Sequence, residues 1–194
     1  MLQITDIFDD RMEMALTKHR RTLEAAAVVA NLAFTFLYVN DSLWSYAFGI
    51  LGPALLLALC IRERFYAEPL LQVVYILMTV YGWIHAQSSP WIASALWHVI
   101  AIPVCILVAV GAAYFLRLTA ARYPLQDCLV TVFGIFATWL MMNQDPAWAW
   151  YFLFINALCV WMYYRRSLYL GTAMYVLYFA MALDQVAHLS IFSA

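Results

Sequence analysis

Apolar residues dominate the chain in long blocks, and polar residues fall almost only between them. Cutting the sequence at stretches long enough to cross a bilayer, about 17–25 residues each, gives seven segments at 23–39, 43–61, 67–87, 91–116, 127–142, 147–164 and 168–190. Segments such as 43–61 and 100–116 are apolar on every side, whereas a helix in a water-soluble core keeps a polar outer face. Asn40-Asp41-Ser42, Ser88-Ser89-Pro90 and Asn143-Gln144-Asp145-Pro146 read as helix-stopping turns whose Ser or Asp can cap the next helix. Upstream, Ile4, Ile7, Phe8, Ala15 and Leu16 recur at helical spacing opposite Asp6, Asp9, Asp10 and Glu13. Residues 1–22 therefore read as an amphipathic helix on the membrane surface, with a solvated tail as the alternative.

Composition agrees with an all-α integral membrane protein: 67% of residues are hydrophobic and 11% are charged, against about a quarter charged in soluble domains. Residues 1–21 lack the apolar core and small-residue cleavage site of a secretory signal. Every Lys and Arg lies before the first span or after the second, fourth or sixth, as Arg11, Lys18, Arg20, Arg21, Arg62, Arg64, Arg117, Arg122, Arg165 and Arg166. Seven spans put all of these on one side, so the positive-inside rule places the amino terminus in the cytoplasm and the carboxyl terminus outside. Cys60, Cys105, Cys128 and Cys159 sit in apolar segments without metal-like spacing and read as reduced packing residues.

The chain repeats itself. A shift of 103 positions superposes Glu24 on Asp127, Asn40 on Asn143, Arg62 on Arg165, Tyr66 on Tyr169, Tyr75 on Tyr178, Met78 on Met181 and His85 on His188. Two three-helix repeats, 23–87 and 127–190, are thus joined by a linking region with the fourth helix at 88–126, a three-plus-one-plus-three plan. Parallel repeats of this kind occur in transporters, with the substrate site near the midplane between them. The sequence contains no His-Glu-x-x-His or Gly-x-Ser-x-Gly motif, no cofactor or nucleic-acid motif and no filter-like run, so an enzyme, a channel or an accessory subunit is the weaker expectation.

Tyr66-Ala-Glu-Pro-Leu-Leu-Gln72, followed by Tyr81-Gly-Trp83, resembles the third span of the PnuC nicotinamide riboside transporter family. Asp127, Leu140-Met141, Asn156, Tyr169, Tyr175, Glu24 and Gly49 fall at that family's spacing. The resemblance implies facilitated diffusion of a B-type vitamin across the inner membrane, a homotrimer, and trapping of the substrate by a cytoplasmic kinase. Two departures stand out. Ala86 replaces the second tryptophan of the Tyr-Gly-Trp helix, and Ala147, Ala149 and Phe152 occupy the places of a glutamate and a second tryptophan pair. These changes tilt the expectation toward the thiamine-transporting branch, with nicotinamide riboside next and riboflavin last. Relatives also carry their basic residues on the opposite loops, which would make this chain inverted.

A flat heteroaromatic vitamin needs ring faces and a few amides or hydroxyls in an enclosed cavity. Asn156, at the family's asparagine position, is the first candidate, with an interhelical hydrogen bond as its structural alternative. Gln72, Trp83, Tyr81, Tyr178, Trp139 and Phe152 are further candidates, though Trp83 and Tyr81 also suit the interfacial aromatic belt. Asp184, with Gln185 and His188, forms a polar patch in the seventh span and could pair a cationic ring such as thiamine or nicotinamide riboside. Glu24, Glu68 and Asp127 sit at helix amino ends and read as structural. His85 and His188, together with Trp148 and Trp150, are gate or interface candidates; further metal ligands are lacking. The charge pattern predicts that a cysteine introduced after His188 reacts with an impermeant thiol reagent added outside intact cells; protection there would refute the assigned orientation.

Overall fold

The structure, a computed structural model, describes residues 22–23, 25–62, 68–118, 123–165, 169–189 and 191–192. Residues 1–21 of the amphipathic segment, Glu24, Arg64, Arg122 and Arg166 lie outside the described residues. Seven helices occur among those described: α1 Ala25–Val39, α2 Trp44–Arg62, α3 Glu68–Ile84, α4 Ala95–Leu116, α5 Pro124–Met142, α6 Trp148–Arg165 and α7 Tyr169–Ala187. At 1.5 Å per residue, the 22 residues of α4 reach about 33 Å, the thickness of a bilayer's hydrocarbon core.

Two helix starts differ from the sequence expectation. The fourth helix begins at Ala95 rather than at 91, because the backbone of 91–93 bonds elsewhere: Trp91 N–H donates to the Asn143 carbonyl (3.1 Å) and Ala93 N–H to Asp145 Oδ2 (2.7 Å). The fifth begins three residues early, since Pro124 at its start has a preset φ and no N–H to satisfy.

The 103-residue shift is visible in individual hydrogen bonds. Asp41 and Gln144 both adopt positive φ, 51° and 61°. Asp41 N–H donates to Tyr38 O (3.1 Å) and Ser42 N–H to Leu37 O (2.9 Å), and Gln144 to Met141 O (3.0 Å) and Asp145 to Leu140 O (3.0 Å) do the same. This is a Schellman closure, which pairs the last carbonyls of α1 and α5. Asn40 Nδ2 and Asn143 Nδ2 each donate to the carbonyl four residues back, Phe36 and Trp139, at 2.8 Å.

Within each half the helices pack as antiparallel neighbours, α2 on α3 and α6 on α7, while α3 meets α5 at the seam between halves. Pro53 inside α2 leaves the Gly49 carbonyl without its helical donor, and the Thr79 hydroxyl of α3 approaches it (3.3 Å), its single proton shared with the nearer Tyr75 carbonyl (2.8 Å). At the seam, a side chain at Gly82 would collide with Met142 Sδ and lie 3.1 Å from Tyr46. The glycine of the Tyr-Gly-Trp motif therefore permits close approach of α3 and α5.

The fourth helix lies to one side, against α5. It buries only Ala101, Cys105, Ala109 and Ala113, a small-residue stripe that lets helices approach closely. Val99, Leu107 and Phe115 stand on its outer surface, 66–71% exposed. Such a face is stable only in an apolar medium. Cys105, Cys128 and Cys159 are buried free thiols. Substituting Gly82→Leu should cost about 1–3 kcal/mol by overpacking, lowering the thermal midpoint of the purified protein. Gly111→Leu, where an added side chain meets nothing within 4 Å, should leave it unchanged; equal effects would contradict the seam assignment.

Candidate functional site

Four-residue spacing places Trp148, Phe152 and Asn156 on one side of α6, within about 80° of each other. Trp148 is buried at the start of the helix and packs edge-on against Phe152 (6.0 Å) and against Tyr38 of α1 (5.9 Å). Asn156 lies two turns deeper, about 12 Å along the axis. It is 4% exposed, and among the described residues its amide makes no hydrogen bond. A buried amide finds its hydrogen-bond partner in protein, ordered water or a ligand.

The helices α3 and α7 carry equivalent stripes. Gln72, Tyr75, Thr79 and Gly82 share one face of α3, and their counterparts on α7 are Tyr175, Tyr178, Ala182 and Gln185. Tyr75 reaches toward α5, with its hydroxyl 3.2 Å from where a Gly134 Cβ would stand. Tyr178 lies beside Thr35 of α1. Each tyrosine thus spans from its own half to the other half at the same repeat position. Gln72 is half-buried on the seam-facing stripe of α3.

Other candidates are placed elsewhere. Trp139 stacks on Trp97 (5.8 Å) and meets Trp91 edge-on (4.9 Å), so it belongs to an indole cluster where α4 begins. Trp83 is 52% exposed, and Tyr81 donates to Asn143 Oδ1 (3.2 Å) while its ring lies tilted against His85 (4.2 Å). The His85 Nδ1–H donates to the Tyr81 carbonyl, and His188 is an exposed positive-φ residue just after α7. Asp184 is 2% exposed, and its carboxylate accepts the N–H groups of Ile191 (2.8 Å) and Phe192 (3.1 Å). It holds the turn after α7 instead of presenting a free charge to aromatic rings. Trp150 faces outward, beside a groove of about 710 Å³ between α4, α5 and α6.

Four residues outside the sequence-derived set contribute. Tyr38 joins α1 to α5 and α6, and Ser45 is fully buried, its hydroxyl without a hydrogen-bond partner among the described residues. Asn31 presses its amide against Gly52, and His98 bonds the Tyr151 hydroxyl (2.9 Å) at the outer groove. Of these, only Tyr38 carried a sequence signal: its repeat counterpart is Met141, inside the Leu140-Met141 motif. Among the described residues no three His, Cys, Asp or Glu side chains converge as a metal set. The arrangement suits recognition of a flat, hydrogen-bonding solute and supplies no nucleophile with a base.

A sequence profile described as the nicotinamide mononucleotide transporter matches residues 21–187. Among solved structures, the crystal structure of the vitamin B3 transporter PnuC is similar, with TM-score 0.67 over 88% of this chain and 81% of that one at 15% identity. A search among curated proteins returned no match.

Proposed function

Because this chain belongs to the nicotinamide mononucleotide transporter family, a family of multi-pass membrane transporters and not of enzymes, we propose that it passes a B-type vitamin across the inner membrane by facilitated diffusion. The observation that carries the reading is Asn156, a buried amide with open hydrogen-bonding capacity midway along α6. Phe152 and Trp148 provide ring surface above it, and Gln72 with Tyr178 adds polar groups from α3 and α7. A pyridinium ring with an amide and a ribose matches this mixture, because each polar edge needs a partner and the ring needs a π-face. Nicotinamide riboside is the leading substrate, in keeping with the family and with the vitamin B3 transporter of similar fold.

Thiamine is the second reading, favoured by Ala86, Ala147 and Ala149 at positions where the family's wider aromatic and acidic wall would stand. Riboflavin is the third. The halves rock about the site, so that it opens to one side at a time. The amino terminus is cytoplasmic on the evidence of the Lys and Arg distribution. A homotrimer, and withdrawal of the vitamin by a cytoplasmic kinase, complete the proposal.

Purified protein titrated in parallel with nicotinamide riboside, thiamine and riboflavin tests it. Nicotinamide riboside should bind tightest, and Asn156→Leu should weaken that binding about 2- to 12-fold, the worth of one neutral hydrogen bond, with no loss of thermal stability. Binding of none of the three would overturn the vitamin reading, and unchanged affinity in the variant would remove Asn156 from the site.

A further inference from the structure

The hydroxyl of Tyr38 donates to the backbone carbonyl of Met141. These two residues are 103 positions apart, so each is the repeat counterpart of the other. Two equivalent points related by a two-fold axis lie on opposite sides of it, each at half their separation. A repeat-related pair in contact must therefore straddle the axis itself. In a parallel-repeat transporter that axis runs along the membrane normal, through the site between the halves. Tyr38 and Met141 consequently lie across the path, on the side where α1 and α5 end.

From this geometry we infer that Tyr38 is the gate on that side, closing the path by bonding across the axis; the inference rests on the transport reading above. The ring is held by three aromatic neighbours, Phe34 (5.9 Å), Tyr46 (6.5 Å) and Trp148 (5.9 Å). Val39, Tyr46, Leu140, Met142 and Trp148 belong to the buried cluster at this level. Phe152 and Asn156 lie one and two turns further in on α6. Ser45 is the repeat counterpart of Trp148, and its hydroxyl is 0% exposed and lacks a partner among the described residues. Position 45, next to Tyr46, is thus shut off at this level.

Accessibility of position 45 tests the gate without any vitamin, so the outcome is independent of substrate identity. In full-length protein with Cys60, Cys105, Cys128 and Cys159 replaced by alanine, Ser45→Cys serves as reporter in lipid nanodiscs with a water-soluble thiol reagent. Ala109→Cys, at a fully buried position on α4 away from the axis, reports general loosening. Ser45→Cys should react slowly. Adding Tyr38→Phe, which keeps the ring and removes the bond, should speed labelling about 2- to 10-fold, and Tyr38→Ala should speed it further. Labelling of Ala109→Cys should not change. Equal rates at position 45 with and without Tyr38→Phe, or parallel acceleration at both reporters, would overturn the assignment.

Discussion

The last carbonyls of a buried helix have no water to bond, and in an apolar environment each must find a partner within the chain. The turns after α1 and α5 meet that demand in the same way. A positive-φ residue, Asp41 or Gln144, folds the chain back so that two successive N–H groups cap the helix it has just left. The consequence reaches beyond the turns. Closing in so few residues forces α1 against α2 and α5 against α6, and it leaves Asn40 and Asn143 positioned to bond the neighbouring half. Gln144 and the Asn143 carbonyl bond the segment after α3, and Asn40 bonds the carbonyl of Phe192, in the segment after α7. Each half is tied to the other through the turn of one and the tail of the other.

The two seams are equivalent by descent in the repeat but unequal in side chains. Gly82 lets α3 close on Met142 of α5, whereas its counterpart on α7 is Gln185. Three hydrogen bonds tie the segment after α3 to the α5–α6 turn: Gln144 to Ala86 O, Trp91 N–H to Asn143 O, and Ala93 N–H to Asp145. The α7 side has the Asn40 bond to Phe192.

Much of this was legible in the letters. Seven apolar blocks and short polar turns foretold the helices, because in lipid the hydrophobic pattern and the helix boundaries obey the same constraint. The family match over residues 21–187 agrees with the motif-based resemblance. What the letters missed depends on backbone partners and three-dimensional neighbours. Asp184 looked like a partner for a cationic ring, but the N–H groups that occupy it come from a turn seven and eight residues later. Trp139 looked like a wall of the site, but its neighbours Trp91 and Trp97 arrive from the link before α4. The start of α4 was misjudged because Trp91 and Ile92 are apolar while the 91–93 backbone is committed to the α5–α6 turn. Tyr38 reads in isolation as one more interfacial tyrosine; only its contact with its own repeat counterpart reveals its place.

The central claim is that the chain is a carrier whose site opens to one side at a time, not a pore. Counterflow measures this directly. Proteoliposomes loaded with unlabelled nicotinamide riboside and diluted into a trace of labelled vitamin, with no ion gradient, should accumulate label transiently above the outside concentration before it decays to equilibrium. A monotonic approach to equilibrium without overshoot would indicate a pore and contradict the account, and so would an overshoot that appears only when an ion gradient is imposed.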